Sequence, residues 1–200
     1  MKLSDIGIIT FLVLLGIMIF SGLFLREQFE NPEVVFLEEP LEKNTNLQIM
    51  PGETYKYSYL MNNSTANITY RAVSWGGCTK IYIVESLNNT NVCLDEWGMD
   101  ETGSNSTFQS PAFLLFKPWM LALEDNWRWN NSMYLRYGDI THHVSDNYYR
   151  VLRKENYSGR MTYVVEINST TGALEYQWVD AEKRVLVRVL GEGYEVELAT

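Results

Sequence analysis

The sequence predicts a mainly β protein: an N-terminal transmembrane helix, then a curved antiparallel sheet, as a half-barrel or sandwich, with a short covering helix. Three observations predict this. Residues 6–25 form an uncharged apolar run. From residue 53 onwards, short runs of alternating apolar and polar residues are separated by turn residues, which is typical of antiparallel strands. Eight Asn-x-Ser/Thr triplets lie among those runs and turns.

The apolar run is long enough to span a membrane. An α-helix rising ~1.5 Å per residue crosses the ~30 Å hydrocarbon core in about 20 residues. A cleaved signal peptide is the alternative, but its apolar region is usually ~7–15 residues long and ends at a small-x-small site. Here the small pair Ser21-Gly22 follows the bulky Phe20. We therefore expect residues 1–26 to be an uncleaved signal anchor that holds the protein in the membrane through residues 6–25.

A linker and one domain follow the anchor. Asn31-Pro32, Pro40 and Pro51 break residues 27–52, which we interpret as a stalk. VVFLEE (34–39) is either a first strand or an extension of the anchor. Residues 53–200 form the predicted extracytoplasmic β-domain.

The alternating runs predict ten further strands. They lie near residues 54–61, 66–74, 79–86, 91–96, 132–137, 147–154, 160–168, 173–179, 183–190 and 193–198. The last four form a meander in which Val185, Val187 and Val189 face inward. A meander followed by a covering segment is similar to the curved sheets of periplasmic lipoprotein carriers, although the chain carries no motif specific to that family.

The segment before the meander is apolar but interrupted. Pro118 disfavours one continuous helix across residues 110–129. We expect Trp119–Leu123 to form the short helix that covers one open end of the sheet.

The Asn-x-Ser/Thr triplets exceed chance. Random placement of 16 Asn and 27 Ser plus Thr in 200 residues would produce about two. The alternative is that these residues co-occur because turns favour them. The excess places the N-terminus inside and residues 27–200 outside the cell, as an N-glycosylated cell-surface domain. The predicted acceptors are Asn62, Asn63, Asn67, Asn88, Asn105, Asn130, Asn156 and Asn168.

Charge excludes one class of partner. The chain carries a formal charge of −9, and without residues 1–26 it retains 14 basic and 24 acidic side chains. A domain this acidic should be repelled by nucleic acid.

Cys78 and Cys93 are the only cysteines. An even count in an oxidising exterior predicts one disulfide between them, although a tight turn at Asn88-Asn89 would place them out of direct register. The alternative is a Cys78 nucleophile on the Gly76-Gly77 turn, assisted by a histidine.

Few side chains suit catalysis or metal binding. His142 and His143 are adjacent, so on a strand they point to opposite faces; we expect both in a solvent-exposed polar loop. Acid pairs occur at 95–96, 100–101 and 124–125. They could hold calcium or hydrolyse glycosides, but we favour the interpretation that they are solvated loop acids. We predict no metal, no cofactor and no catalysis.

The sequence favours an interaction or structural module of the cell envelope. Its expected partner is an envelope protein, a lipid or a glycan. Strands 173–179 and 183–190 lack sequons, so Trp178 and Tyr176 are the predicted partner face. The alternatives are a lipid- or carbohydrate-binding module that uses the concave face of the sheet, and a glycoside hydrolase built on loop carboxylates. An apolar, open concave face would favour the binding module, and a filled core would favour the structural one.

Overall fold

The computed structural model describes residues 33–61, 64–84, 89–99 and 114–199. The predicted anchor lies outside these ranges, as do four predicted acceptors: Asn62, Asn63, Asn88 and Asn105. Within the described ranges, no helix is both long enough and apolar enough to cross a membrane.

The described residues form one open antiparallel sheet of eleven strands. The strands are β1 (Glu33–Glu38), β2 (Thr54–Met61), β3 (Ser64–Trp75), β4 (Cys78–Val84), β5 (Asn89–Leu94), β6 (Arg128–Tyr137), β7 (Ile140–Tyr157), β8 (Arg160–Ser169), β9 (Leu174–Asp180), β10 (Leu186–Gly191) and β11 (Tyr194–Leu198). The mainly β prediction is confirmed, and a single sheet replaces the sandwich alternative.

Strand order in the sheet departs from chain order. The sheet runs β1, then β6 to β11, then β2 to β5. The predicted meander is confirmed, since β8, β9, β10 and β11 pair in sequence. The join between the two halves is the antiparallel pair of β11 and β2, in which Val196 lies opposite Tyr59.

The tip of the β6–β7 hairpin, residues 134–144, forms a small unit with residues 33–35. The prediction of a polar loop around the histidines is wrong, because both lie on β7. The chain reverses immediately after β6, where Gly138 adopts a φ of +58°, so the strand pairing can continue to the tip. Both histidines are exposed, and their rings contact different tyrosines, His142 with Tyr137 and His143 with Tyr134.

The remaining described residues form a larger unit with the main hydrophobic core. We call the face of the sheet that carries this core the inner face, and the opposite face the outer face. The alternation of β2 and β3 is confirmed, since Tyr55, Tyr57, Tyr70 and Ala72 are all buried in the core. The Tyr57 hydroxyl donates to the carbonyl of Leu186 on β10 at 2.6 Å, which ties β2 to a strand that is not its neighbour.

A buried segment, residues 114–123, packs on the inner face. We call it the covering segment. Its centre is a 3₁₀ helix, Pro118–Ala122, which confirms the predicted short covering helix. Backbone bonds hold it at both ends: Leu186 N–H donates to Leu115 O at 2.9 Å, and Asn44 N–H donates to Leu121 O at 3.0 Å.

Aromatic rings fill the core beside the covering helix. Trp119 stacks on Trp127 with ring centroids 5.7 Å apart, and Tyr149 contacts both Trp119 and Trp129 at 5.5 and 5.0 Å. Trp119 and Trp129 are almost fully buried, so they belong to the core and are not exposed for carbohydrate binding.

A second, smaller cluster lies on the outer face. It consists of Val164, Trp178 and Val187, with Tyr157 and Tyr176 packed against it. The prediction that Val187 faces the main core is therefore wrong. An irregularity in the pairing of β10 with β9 between residues 186 and 188 breaks the alternation, and a one-residue shift turns a side chain to the other face.

Candidate ligand-binding site

Two clefts lie on the inner face next to the covering segment. The apolar cleft has a volume of about 390 Å³, and its floor crosses β9, β10, β11, β2 and β3. The wide cleft has a volume of about 570 Å³ and lies over β1, β6, β7, β8 and β9. Each volume is within the usual range of small-molecule pockets, about 300–1,000 Å³.

The apolar cleft is lined mainly by hydrocarbon and aromatic surface. Tyr59, Ile68, Val189 and Val196 lie on its floor, and Leu114 of the covering segment also lines it. Val189 and Val196 are buried, whereas Tyr59 and Ile68 are only half-buried. The lining therefore continues from the core to solvent-accessible surface, as a ligand that enters from outside requires.

The wide cleft is more mixed in character. Phe36, Met133 and Ile167 supply apolar surface, while Ser145 and Asn147 supply polar groups. The Asn147 side-chain amide donates to Asn131 Oδ1 at 2.8 Å.

Three side chains line both clefts: Lys117, Glu175 and Tyr194. The Tyr194 hydroxyl donates to Glu175, and the Gln177 side-chain amide donates to the other carboxylate oxygen. Gln177 also lines the apolar cleft. The two clefts thus share one polar group, which we call the polar cluster: Lys117, Glu175, Gln177 and Tyr194.

Local sequence explains how these groups reach the inner face. Lys117 precedes Pro118, and a residue before proline favours an extended backbone; its φ and ψ are −134° and 138°. Glu175 and Gln177 alternate with Tyr176 and Trp178 along β9, so the two pairs point to opposite faces.

Burial shifts the pKa values of two members of the polar cluster, Lys117 and Tyr194. Removal of its ammonium group from water lowers the pKa of Lys117, and the charge of Glu175 opposes that shift. Burial raises the pKa of the Tyr194 hydroxyl, and its hydrogen bond to Glu175 and the charge of that carboxylate add to the rise. Tyr194 therefore remains a neutral donor at physiological pH.

Sequence reasoning missed the polar cluster. One signal was present: Lys117 is the single charge in the apolar run AFLLFKPWMLAL, residues 112–123. The inward orientation of Glu175 and Gln177 could not be predicted from the sequence, because polar residues that alternate with aromatic ones ordinarily face solvent.

The predicted partner face, Trp178 and Tyr176, lies on the outer face, away from the clefts. Trp178 is only 8% exposed. Its indole N–H donates to Glu155 at 2.7 Å, and the Arg188 guanidinium lies 5.0 Å from its ring. Trp178 therefore makes its contacts within the domain and leaves little surface for a partner.

The described sequon residues differ in exposure. Asn67, Asn156 and Asn168 are exposed on β3, β7 and β8. Asn130 on β6 is half-buried, and its side-chain amide donates to Glu39 at 3.0 Å.

Asn130 and Asn168 line a third cleft, of about 490 Å³, together with Arg150 and Glu166. Arg150 and Glu166 form an ion pair with N–O distances down to 2.7 Å. Because charged and amide side chains line much of this cleft, it offers less to an apolar ligand than the inner face does.

The predicted disulfide between Cys78 and Cys93 is confirmed, with Cα atoms 5.7 Å apart. It leaves Cys78 without the thiol that a nucleophile requires. The strands pair Lys80 with Cys93, so the expected offset between the two cysteines is also present, and a diagonal bridge spans it.

The loop acids have structural partners. Asp95 accepts from the backbone N–H groups of Trp97 and Met99, both at 2.8 Å. Asp125 pairs with Lys154 at 3.0 Å. Among the described residues, no group of three or more His, Cys, Asp or Glu side chains is placed to hold a metal ion.

No protein-family model matches the chain, and no curated protein is similar to it at a significant level. Among solved structures, the chain is similar to a Bacteroides fragilis protein described as a candidate exported protein with a YmcC-like fold. The two share 8% sequence identity, with a TM-score of 0.38, over 77% of this chain and 97% of that one. This similarity is distant, and the function has to be argued from the site itself.

Proposed function

We propose that the β-domain is a non-catalytic module that binds an apolar or amphipathic small molecule on the inner face of its sheet. The observation that carries this proposal is the pair of clefts that share the polar cluster. Apolar walls with a few convergent polar groups are the usual composition of a small-molecule site.

The state of the inner face favours one of the candidate functions. One part is filled, because the covering segment packs on it as core. Another part carries the two clefts. A purely structural module gains nothing from apolar surface that the described residues leave unfilled, since unfilled core volume costs stability. Ligand binding therefore explains the inner face better than an envelope scaffold does.

Absence of catalysis is part of the proposal. The described ionisable groups that line the two clefts are one lysine, two carboxylates (Glu175 and Glu192) and three tyrosines. Glu175 accepts hydrogen bonds from Tyr194 and Gln177, which fits an orienting role better than proton transfer to a substrate.

The cellular setting of the proposal rests on the sequence. The apolar run 6–25 and the excess of sequons support a single-pass protein with a cytoplasmic N-terminus and an extracellular, N-glycosylated domain. N-terminal sequencing of the protein from its native membrane tests the anchor. We expect the intact N-terminus, and a mature chain that begins near residue 23 would contradict it.

Binding can be tested with N-phenyl-1-naphthylamine, an uncharged apolar dye whose fluorescence rises outside water. The full chain, kept in solution by an amphipathic polymer, is titrated with the dye. Ile68→Trp should fill the apolar cleft and abolish the protein-specific signal. Leu60→Trp is the matched control, because Leu60 is 45% exposed and lies on the outer face of the neighbouring strand.

The proposal requires that Leu60→Trp binds the dye as the wild type does. Equal signals from both variants and the wild type would show that the dye binds elsewhere. No signal from the folded wild type would refute the binding function.

A further inference from the structure

The charges around the clefts set a condition on the ligand. Among the described residues, Lys117, Glu175 and Glu192 are the charged side chains that line the two clefts. Two carboxylates against one ammonium leave an excess negative charge, in a chain of net charge −9. An anionic head group would meet repulsion in a site with reduced access to water, where electrostatic interactions are stronger.

The hydrogen bonds of the polar cluster set a second condition. Gln177 is 1% exposed, and its Oε1 has no hydrogen-bond partner within the described part of the chain. The orientation of this amide is not arbitrary. Its Nε2 lies against Glu175, and since an ionised carboxylate only accepts, the amide nitrogen must face it. A buried acceptor that lacks a donor is unfavourable, so a ligand group that reaches it from the apolar cleft and donates to it gains affinity.

A hydroxyl group meets both conditions and, unlike an ammonium group, it can also accept a hydrogen bond from the Lys117 ammonium. A hydroxyl group carries no charge, donates one hydrogen bond and accepts others. It can donate to Glu175 or Gln177 while it accepts from the Lys117 ammonium. A quaternary ammonium group cannot donate, and a phosphate group is excluded by charge.

We infer that the ligand is an amphiphile with an uncharged, polyhydroxylated head group, of the glyceryl or glycosyl class, whose head binds the polar cluster and whose tail lies in the apolar cleft. This inference rests on the proposed binding function. It identifies which amphipathic molecules the site selects, and it can fail while the binding function itself stands.

Titration calorimetry with three compounds that share a ten-carbon chain tests the inference. Decyl maltoside has an uncharged glycosyl head, decyl phosphate an anionic head, and decyltrimethylammonium a cationic head without donors. Each is titrated below its micelle-forming concentration into the full chain. Ile68→Trp provides the blank, since partition into the polymer is common to both proteins.

We expect decyl maltoside to bind about tenfold or more tightly than the two charged compounds, a difference of about 1.4 kcal/mol. Decyl phosphate or decyltrimethylammonium binding as tightly as the maltoside would overturn the inference. Binding of the dye without any binding of decyl maltoside would also overturn the inference. If neither the dye nor any alkyl compound binds, the proposed function fails as well.

Two variants locate the head group. Gln177→Met, of similar volume, should weaken maltoside binding severalfold. Glu175→Gln should reduce the disadvantage of decyl phosphate. Glu166→Gln is the matched control, because Glu166 lies on β8 in the third cleft. A maltoside affinity unchanged by both Gln177→Met and Glu175→Gln in folded protein would overturn the assignment to the polar cluster.

Discussion

Cys78 on β4 and Cys93 on β5 are joined diagonally, with their Cα atoms 5.7 Å apart, while the strand register places Lys80 opposite Cys93. This separation is within the usual range for disulfides, about 4.4–6.8 Å. Among the described strands, β5 is the last at one end of the sheet and pairs with β4 alone, so the bridge supplements that ladder.

The disulfide should stabilise the domain. The ring spans 15 residues, and a ring of that size contributes about 3 kcal/mol in the chain-entropy model. We expect Cys78→Ala/Cys93→Ala to lower the free energy of unfolding by roughly that amount, measured by urea titration. A reductant should destabilise the wild type and leave the double variant unchanged. Insensitivity of the wild type to the reductant would show that the bond contributes nothing.

Trp178 should matter more for stability than its position on the outer face implies. We expect Trp178→Ala to cost about 3–5 kcal/mol, as is usual for large-to-small changes at buried aromatic residues. Trp75→Ala is the control, because Trp75 is 60% exposed, and it should cost about 1 kcal/mol or less. Equal losses in urea titrations would show that the outer-face cluster is not a packed unit.

The predicted partner face therefore needs a different probe. Tyr176 is half-buried in the same cluster, and its replacement disturbs less packing. If an envelope partner binds the outer face of β9, Tyr176→Ala should weaken that binding while the urea midpoint changes little. If the variant binds as strongly as the wild type in a pull-down, β9 is not part of the interface.

Alkaline pH should unfold the domain. Burial, followed by the nearby Tyr70 and Tyr55, holds the pKa of Tyr57 well above its ordinary value. Its stabilising contribution is complete below the pKa of a tyrosine in the unfolded chain, about 10, and is lost as pH rises above it. The loss approaches about 1.4 kcal/mol per pH unit for this residue.

The Tyr57→Phe variant isolates this effect. At neutral pH it should be less stable by about 1 kcal/mol, because the bond to Leu186 is lost. Above about pH 10 the difference should shrink, since phenylalanine releases no proton on unfolding. Thermal unfolding followed by circular dichroism across this range measures the difference. A constant difference would mean that Tyr57 does not titrate on unfolding.

If the domain is glycosylated, the described sequons should not be used equally. Asn67, Asn156 and Asn168 are exposed, whereas the Asn130 amide is half-buried and hydrogen-bonded to Glu39. We expect glycopeptide mass spectrometry of protein from its native membrane to find glycans on the exposed asparagines and none on Asn130. A glycan on Asn130 with the other three unmodified would contradict this order.

Alternation alone determined most of the elements. Tyr55 and Tyr57 on β2, and Tyr70 and Ala72 on β3, face the core as their period of two requires. The final meander and the short covering helix after Pro118 follow from equally local signals. These features can be predicted from the sequence because turns and side-chain alternation depend on only a few neighbouring residues.

Only the tertiary structure decided which distant residues meet. Pairing of β11 with β2 brings Tyr194 beside Tyr59, with ring centroids 6.4 Å apart, and no local pattern encodes that choice. The irregularity on β10 turned Val187 outward, since one shifted residue reverses the alternation. Lys117 and Glu175 became a shared polar group because the covering segment packs over β9, and the burial that shifts the pKa of Lys117 exists only after that packing.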